Sequence, residues 1–114
     1  MDLLTTIRAQ TARSQQIAVD LKARWNVAVA SLAGARSVAA NTPAQVSAAR
    51  AATNQATARY QAGLGNIDAV AEAQRLLTQA EIDDALARLS VWRALLGVAT
   101  AAGDLEPLIA EVSQ

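Results

Sequence analysis

The sequence predicts an all-α protein built as a long antiparallel helical hairpin or coiled coil. Apolar residues make up 53% of the chain, yet Phe is absent and aromatic residues account for only 3%. About a quarter of the residues are Ala, which has the highest helix propensity and lets helix axes approach closely. Val and Ile recur at helical spacing rather than in alternating runs, so no strand is indicated. This composition favours thin, closely packed helices.

One helical domain is expected over residues 1–114, and its first helix over 3–40. A seam in this helix alternates spacings of three and four, through Leu4, Ile7, Thr11, Ser14, Ala18, Leu21, Trp25, Ala28, Leu32, Ala35 and Ala39. Further apolar residues lie outside the seam, namely Val19, Val27, Val29 and Val38. The helix should therefore have neighbours on more than one side.

The segment Asn41-Thr42-Pro43 interrupts this pattern, because Pro lacks an amide hydrogen and disfavours helical geometry in the residue before it. Thr42 is a suitable N-cap, and Pro43 suits the first position of a new helix over 43–62. Two outcomes stay open. A kink gives one helix of about 60 residues, whereas a full break lets the first segment fold back into a three-helix bundle.

A turn is predicted over 63–66, where Gly63 can end one helix and Asn66 can cap the next. The following helix is expected over 67–102, and its seam reads Val70, Ala73, Leu77, Ala80, Asp84, Ala87, Val91, Ala94, Val98 and Ala101. Gly103 is expected to end that helix, with a short C-terminal helix over 104–112. A helix end, a short loop and a helix start together predict an antiparallel hairpin.

Charge and residue types argue against several functional classes. Residues 1–66 carry seven basic and two acidic residues and residues 67–114 three and eight, so the halves are oppositely charged within a neutral chain. That balance gives little support for nucleic-acid binding. His and Cys are absent, so we expect no enzyme, no cofactor and no metal site. Adjacent Asp83 and Asp84 point about 100° apart on a helix, and a solvated face is expected for both.

The start of the chain has no basic flank and no continuous apolar stretch, so no signal peptide is indicated. We expect no segment to approach the ~20 apolar residues that span a bilayer. We therefore expect the chain as given to be soluble, and cytoplasmic if expressed by itself. A lone hairpin would leave apolar faces in water, so the isolated chain is expected to form a homo-oligomer.

Residues 59–75 carry the most specific motif: an Arg-Tyr pair, two further residues and Gly-Leu, followed by Val, an acid and Ala-Gln-Arg. The matching positions are Arg59, Tyr60, Gly63, Leu64, Val70, Ala73, Gln74 and Arg75. This segment resembles the periplasmic hairpin tip of TolC-like outer-membrane efflux proteins. The resemblance extends over about residues 31–108, through a Trp-Arg-Ala-Leu stretch and a Gly-Asp-Leu ending.

The resemblance implies that Tyr60, Gly63, Leu64 and Gly65 form a tip that docks a periplasmic adaptor (membrane fusion) protein. It also implies Glu72 as an acid at the periplasmic entrance, sister protomers as partners, and an outer-membrane and periplasmic location. The chain departs from the family at Ala69, where an acid is common, and at Gly65, where a polar or basic residue is common. Alone it would be about the last quarter of such a channel, either a fragment or a truncated reading frame. The alternative is a self-associating helical interaction module without a transport role.

Overall fold

The computed structural model describes residues 2–112 as two long α-helices joined by a short turn. Helix α1 spans Asp2–Gln61 and helix α2 spans Ile67–Val112. Within this described part of the chain no strand occurs. The predicted all-α helical hairpin is therefore confirmed.

Residues 33–92 form one compact unit, in which the last part of α1 packs against the first part of α2. The most buried residues here are Thr42 and Thr53 on α1 and Val70, Ala80, Asp84 and Ala87 on α2. The four on α2 occupy the predicted seam. Half-buried residues complete the contact seam of the two helices, namely Ala35, Ala39, Val46, Ala49, Ala56, Ala73, Leu77 and Val91. The spacing of three and four in the sequence therefore identified the contact face correctly, because that spacing keeps one stripe of a helix turned toward its neighbour.

Residues 2–32 and 93–112 belong to a second compact unit. Its seam is covered from Ala18 onward, where Leu21, Trp25, Ala28 and Leu32 are half-buried and Ala101 of α2 is buried. The earlier predicted seam positions Leu4, Ile7, Thr11 and Ser14 are exposed. The prediction that these four positions are in the contact face is wrong for the chain as described.

The structure has no break at Asn41-Thr42-Pro43, since α1 runs through Pro43 without interruption. The three-helix alternative is therefore wrong. A proline in a helix interior costs about 3 kcal/mol or more, and here seam contacts on both sides of Pro43 hold the helix together. The predicted stop at Gly103 is wrong as well, because α2 continues to Val112. A glycine costs only about 1 kcal/mol in a helix interior, which is too little to end a long helix.

One helical stretch, Ile67–Pro107, is long enough to cross a membrane and contains a window of 18 residues that is apolar enough to do so, with a mean hydropathy of 1.3. The expectation that no segment meets this criterion is wrong. Arg88 and Arg93 lie near the middle of the stretch, and an arginine at the centre of a bilayer costs about 2.5–3.5 kcal/mol. The same composition serves a helix that packs against other helices.

Candidate functional site

The turn between the helices is built from backbone hydrogen bonds that end α1. The amide of Leu64 donates to the carbonyl of Arg59 at 2.8 Å, and the amide of Gly63 donates to the carbonyl of Tyr60 at 3.0 Å. This pair of bonds is the Schellman motif, which requires a left-handed residue after the helix. Gly63 provides it with a φ of 75°. The predicted role of Gly63 in ending α1 is therefore confirmed.

The start of α2 is fixed by the predicted cap. The side-chain Oδ1 of Asn66 accepts a hydrogen bond from the amide of Ala69 at 2.9 Å. That bond satisfies one of the amides that the first turn of a helix leaves without a partner. Asp68 lies in the same turn, where the positive end of the helix dipole favours an acid. Both ends of the turn are thus determined by local chemistry.

The four predicted tip residues lie together at this turn, and their exposure differs. Leu64 is 73% exposed and Tyr60 is 46% exposed. Gly65 approaches the last turn of α1 so closely that an added Cβ would lie 3.4 Å from the Cβ of Arg59. The structure therefore presents one leucine and one tyrosine to solvent on a turn with a defined backbone.

A shallow groove of small side chains runs beside this turn. It is lined by Ala52, Gln55, Ala56, Arg59, Gly65 and Ala69. Most of its lining is alanine or glycine, so its surface is formed largely by backbone and Cβ atoms. Arg59 and Gln55 are the lining residues that carry polar side-chain groups. Sequence reasoning did not find this groove, because it needs residues from both helices.

Glu72, the predicted entrance acid, lies on the first turns of α2 and is paired within its own helix. The Nη2 of Arg75 donates to its Oε1 at 2.7 Å and the Nε of Arg75 donates to its Oε2 at 3.0 Å. The hydrogen bonds and positive charge of Arg75 hold the pKa of Glu72 below its ordinary value. The carboxylate is therefore ionised and bound to the arginine of the Ala-Gln-Arg motif.

The most buried polar contact lies well away from the tip, in the seam. The hydroxyl of Thr42 donates to the Oδ1 of Asp84 at 2.8 Å, and the guanidinium of Arg88 donates to Oδ2. Thr42 is 5% exposed and Asp84 is 7% exposed. The prediction that Asp83 and Asp84 share a solvated face is wrong for Asp84. Its place in the seam, between Ala80 and Ala87, was the signal in the sequence.

Thr42 has one hydroxyl proton and two acceptors within reach. The carbonyl of Ala39, whose usual amide partner is missing because Pro43 has none, lies 3.3 Å away. The carboxylate of Asp84 is nearer and charged, so it is the stronger acceptor. The predicted role of Thr42 as an N-cap is therefore wrong, and its hydroxyl joins the two helices instead.

The hydrogen bond from Thr42 is the main reason that the pKa of Asp84 lies below its ordinary value. Burial acts in the opposite direction, and the bond and charge of Arg88 lower the pKa further. The acid is therefore ionised at neutral pH. Its neighbour Asp83 is exposed and accepts a hydrogen bond from Gln79 at 2.9 Å. The two adjacent carboxylates engage different partners.

Comparison with known proteins identifies no relative of this chain. Family models, curated proteins and solved structures all fail to give a match to the chain. The interpretation of the tip therefore depends on the residues of the 59–75 segment and on the geometry given above.

Gly63→Ala is expected to destabilise the chain by about 1–2 kcal/mol, the cost of a left-handed conformation for a residue with a Cβ. Space is not the reason, since nothing lies within 4 Å of the added carbon. Gly34→Ala is the matched control, because Gly34 lies within α1 and has equal space. It should stabilise by about 0.5–1 kcal/mol. Urea unfolding followed by circular dichroism measures both, and equal effects of the two changes would contradict this account of the turn.

A low pH should destabilise the folded hairpin because it protonates Asp84. The pKa of Asp84 is lower in the folded chain than in the unfolded one. The contribution of this residue to the free energy of unfolding is therefore complete above the unfolded pKa of about 3.9. That contribution is lost as the pH falls through the lower, folded pKa. Melting temperatures from pH 7 to pH 2 should fall more steeply for the natural chain than for Asp84→Asn. Asp83→Asn should keep the natural profile, and identical profiles for all three would refute the role of Asp84.

Proposed function

We propose that this chain is the periplasmic tunnel hairpin of an outer-membrane efflux channel, and that its turn docks the adaptor protein of a tripartite export pump. The motif at residues 59–75 resembles the tip of that family, and the proposal needs a helical hairpin with a structured turn. The observation that carries it is Leu64, which is 73% exposed on a turn fixed by Gly63 and Asn66. In this role the chain is not catalytic and works as part of a larger channel.

The groove beside the tip supports the same role. Gly65, which follows Leu64 in the chain, is part of the lining of this groove. An approaching hairpin could therefore place a side chain in the groove while Leu64 packs against that hairpin. Side chains that fill such pockets often carry much of the binding energy of a protein interface. Arg59 supplies a hydrogen-bond donor at the edge.

The test is Leu64→Glu in the full-length protein. Leu64 is 73% exposed, so the change should leave the fold intact while placing a charge in the docking surface. Adaptor affinity should fall by about tenfold or more, which corresponds to roughly 1.4 kcal/mol. Leu64→Met is the matched control and should bind and export normally. Full export by a Leu64→Glu protein present at normal amounts would refute tip docking.

A second candidate, the self-associating helical module, is favoured by a separate observation. A stripe of large side chains on α2, 45–67% exposed, lies opposite the seam: Ile82, Leu86, Leu89 and Trp92. A pair of hairpins that packed into a four-helix bundle could cover such a stripe. This role needs no adaptor and no channel.

Light scattering on the isolated 114-residue chain tests that candidate. The expected result is an oligomer that persists at about 1 M salt, because salt at that level screens charge to about 3 Å but does not weaken apolar contacts. Association through the oppositely charged halves would instead disappear at high salt. A monomer at both low and high salt would refute self-association while leaving the channel proposal intact.

A further inference from the structure

We infer that the buried Thr42–Asp84 pair fixes the register of α2 against α1, independently of the turn. Its special feature is that both partners are buried side chains. Within residues 33–92, each is among the most buried residues, and their polar atoms lie 2.8 Å apart across the helix interface. This inference concerns how the two helices are aligned and does not depend on the proposed transport role.

The rest of the seam distinguishes poorly between registers. Apart from Thr53, its α1 positions are alanine, namely Ala35, Ala39, Ala49 and Ala56, with Val46 the exception. A slip of α2 by one heptad would bring Ala80 opposite Ala39 in one direction and Ala87 opposite Val46 in the other, which are the same kinds of pair as the observed Ala39/Ala87 and Val46/Ala80. Packing of small side chains therefore changes little between aligned and slipped arrangements.

A second hydrogen bond between the helices, made by Thr53, could also form in a slipped register. The hydroxyl of Thr53 lies 3.1 Å from the carbonyl of Ala73. Every residue has a backbone carbonyl, so a slipped α2 would offer Thr53 an equivalent acceptor. The exposed ion pair of Arg50 with Glu81, 3.4 Å apart, is weak for a different reason, since water screens it.

Asp84 is the seam residue that makes the slipped registers less stable than the observed one. In the observed alignment it faces Thr42, and a slip of seven residues would place it opposite Ala35 or Ala49. Neither alanine can donate a side-chain hydrogen bond, so a buried carboxylate would lose its partner from α1. Losing one partner of a buried charged group costs more than the intact bond contributes. A single polar pair in an apolar seam is a known way to specify register.

The test must first remove the influence of the turn. An insertion of about 10 Gly and Ser residues after Leu64 gives the helices enough slack for a one-heptad slip, which moves α2 by roughly 10 Å. The chain has no cysteine, so introduced cysteine pairs report alignment without interference. Ala39→Cys with Ala87→Cys reports the observed register. Ala39→Cys with Ala80→Cys and Val46→Cys with Ala87→Cys report slips in the two directions.

With Thr42 and Asp84 present, the 39/87 disulfide should exceed both slipped disulfides by about tenfold, equivalent to roughly 1.4 kcal/mol of register preference. With Thr42→Ala and Asp84→Ala together, slipped disulfides should rise to comparable yield while helicity by circular dichroism stays unchanged. Asn41→Ala with Asp83→Ala is the matched control, since both residues are exposed neighbours, and it should keep the natural pattern. An unchanged 39/87 preference in the Thr42→Ala, Asp84→Ala chain would overturn the inference.

A relocated threonine gives a second, independent test. In the same lengthened chain, Thr42→Ala combined with Ala49→Thr moves the donor by one heptad. If the pair determines register, α2 should shift by one heptad so that Asp84 lies opposite the new threonine. The 46/87 disulfide should then become the main product. If the 39/87 disulfide still dominates in this folded variant, another feature of the seam fixes the alignment and the inference fails.

Discussion

Two helices that pack as a pair share a single stripe of side chains, and this limit underlies the rest of the structure. The apolar residues that α1 and α2 bury deeply are few and mostly small: Val70, Ala80, Ala87 and Ala101. Within the described chain no side chain is completely buried. Burial of such small groups removes little apolar area from water, at about 25 cal/mol per Å².

The small seam also explains why an acid can be buried in it. Alanine on both helices lets the backbones approach, so the short side chain of Thr42 reaches Asp84 across the interface. Arg88 supplies a counter-charge from the next turn of α2, and its side chain stays 71% exposed. The positive charge therefore remains in water while the carboxylate receives its hydrogen bonds. A seam of leucines would hold the helices too far apart for this contact.

Features set by neighbouring residues could be predicted from the sequence, and features set by distant residues could not. The seams, the left-handed Gly63 and the Asn66 cap each follow from a few adjacent positions. Thr42 and Asp84 are far apart in the chain, and nothing near Thr42 announces its partner. At Pro43 local rules left a kink and a break open, because they assign a cost to the proline but cannot weigh it against packing along a long helix.

Leu64 is exposed for a different reason than the stripe of large side chains on α2, which consists of Ile82, Leu86, Leu89 and Trp92. Any two-helix hairpin leaves one face of α2 in water, so exposed leucines there follow from the architecture. In a Schellman motif, by contrast, the residue at the position of Leu64 often packs back on the last turn of its helix. Here that turn offers Arg59 and Ala58, which give a leucine little to cover. The proposed docking of an adaptor would give this leucine a covering surface, whereas the exposed stripe on α2 follows from the architecture alone.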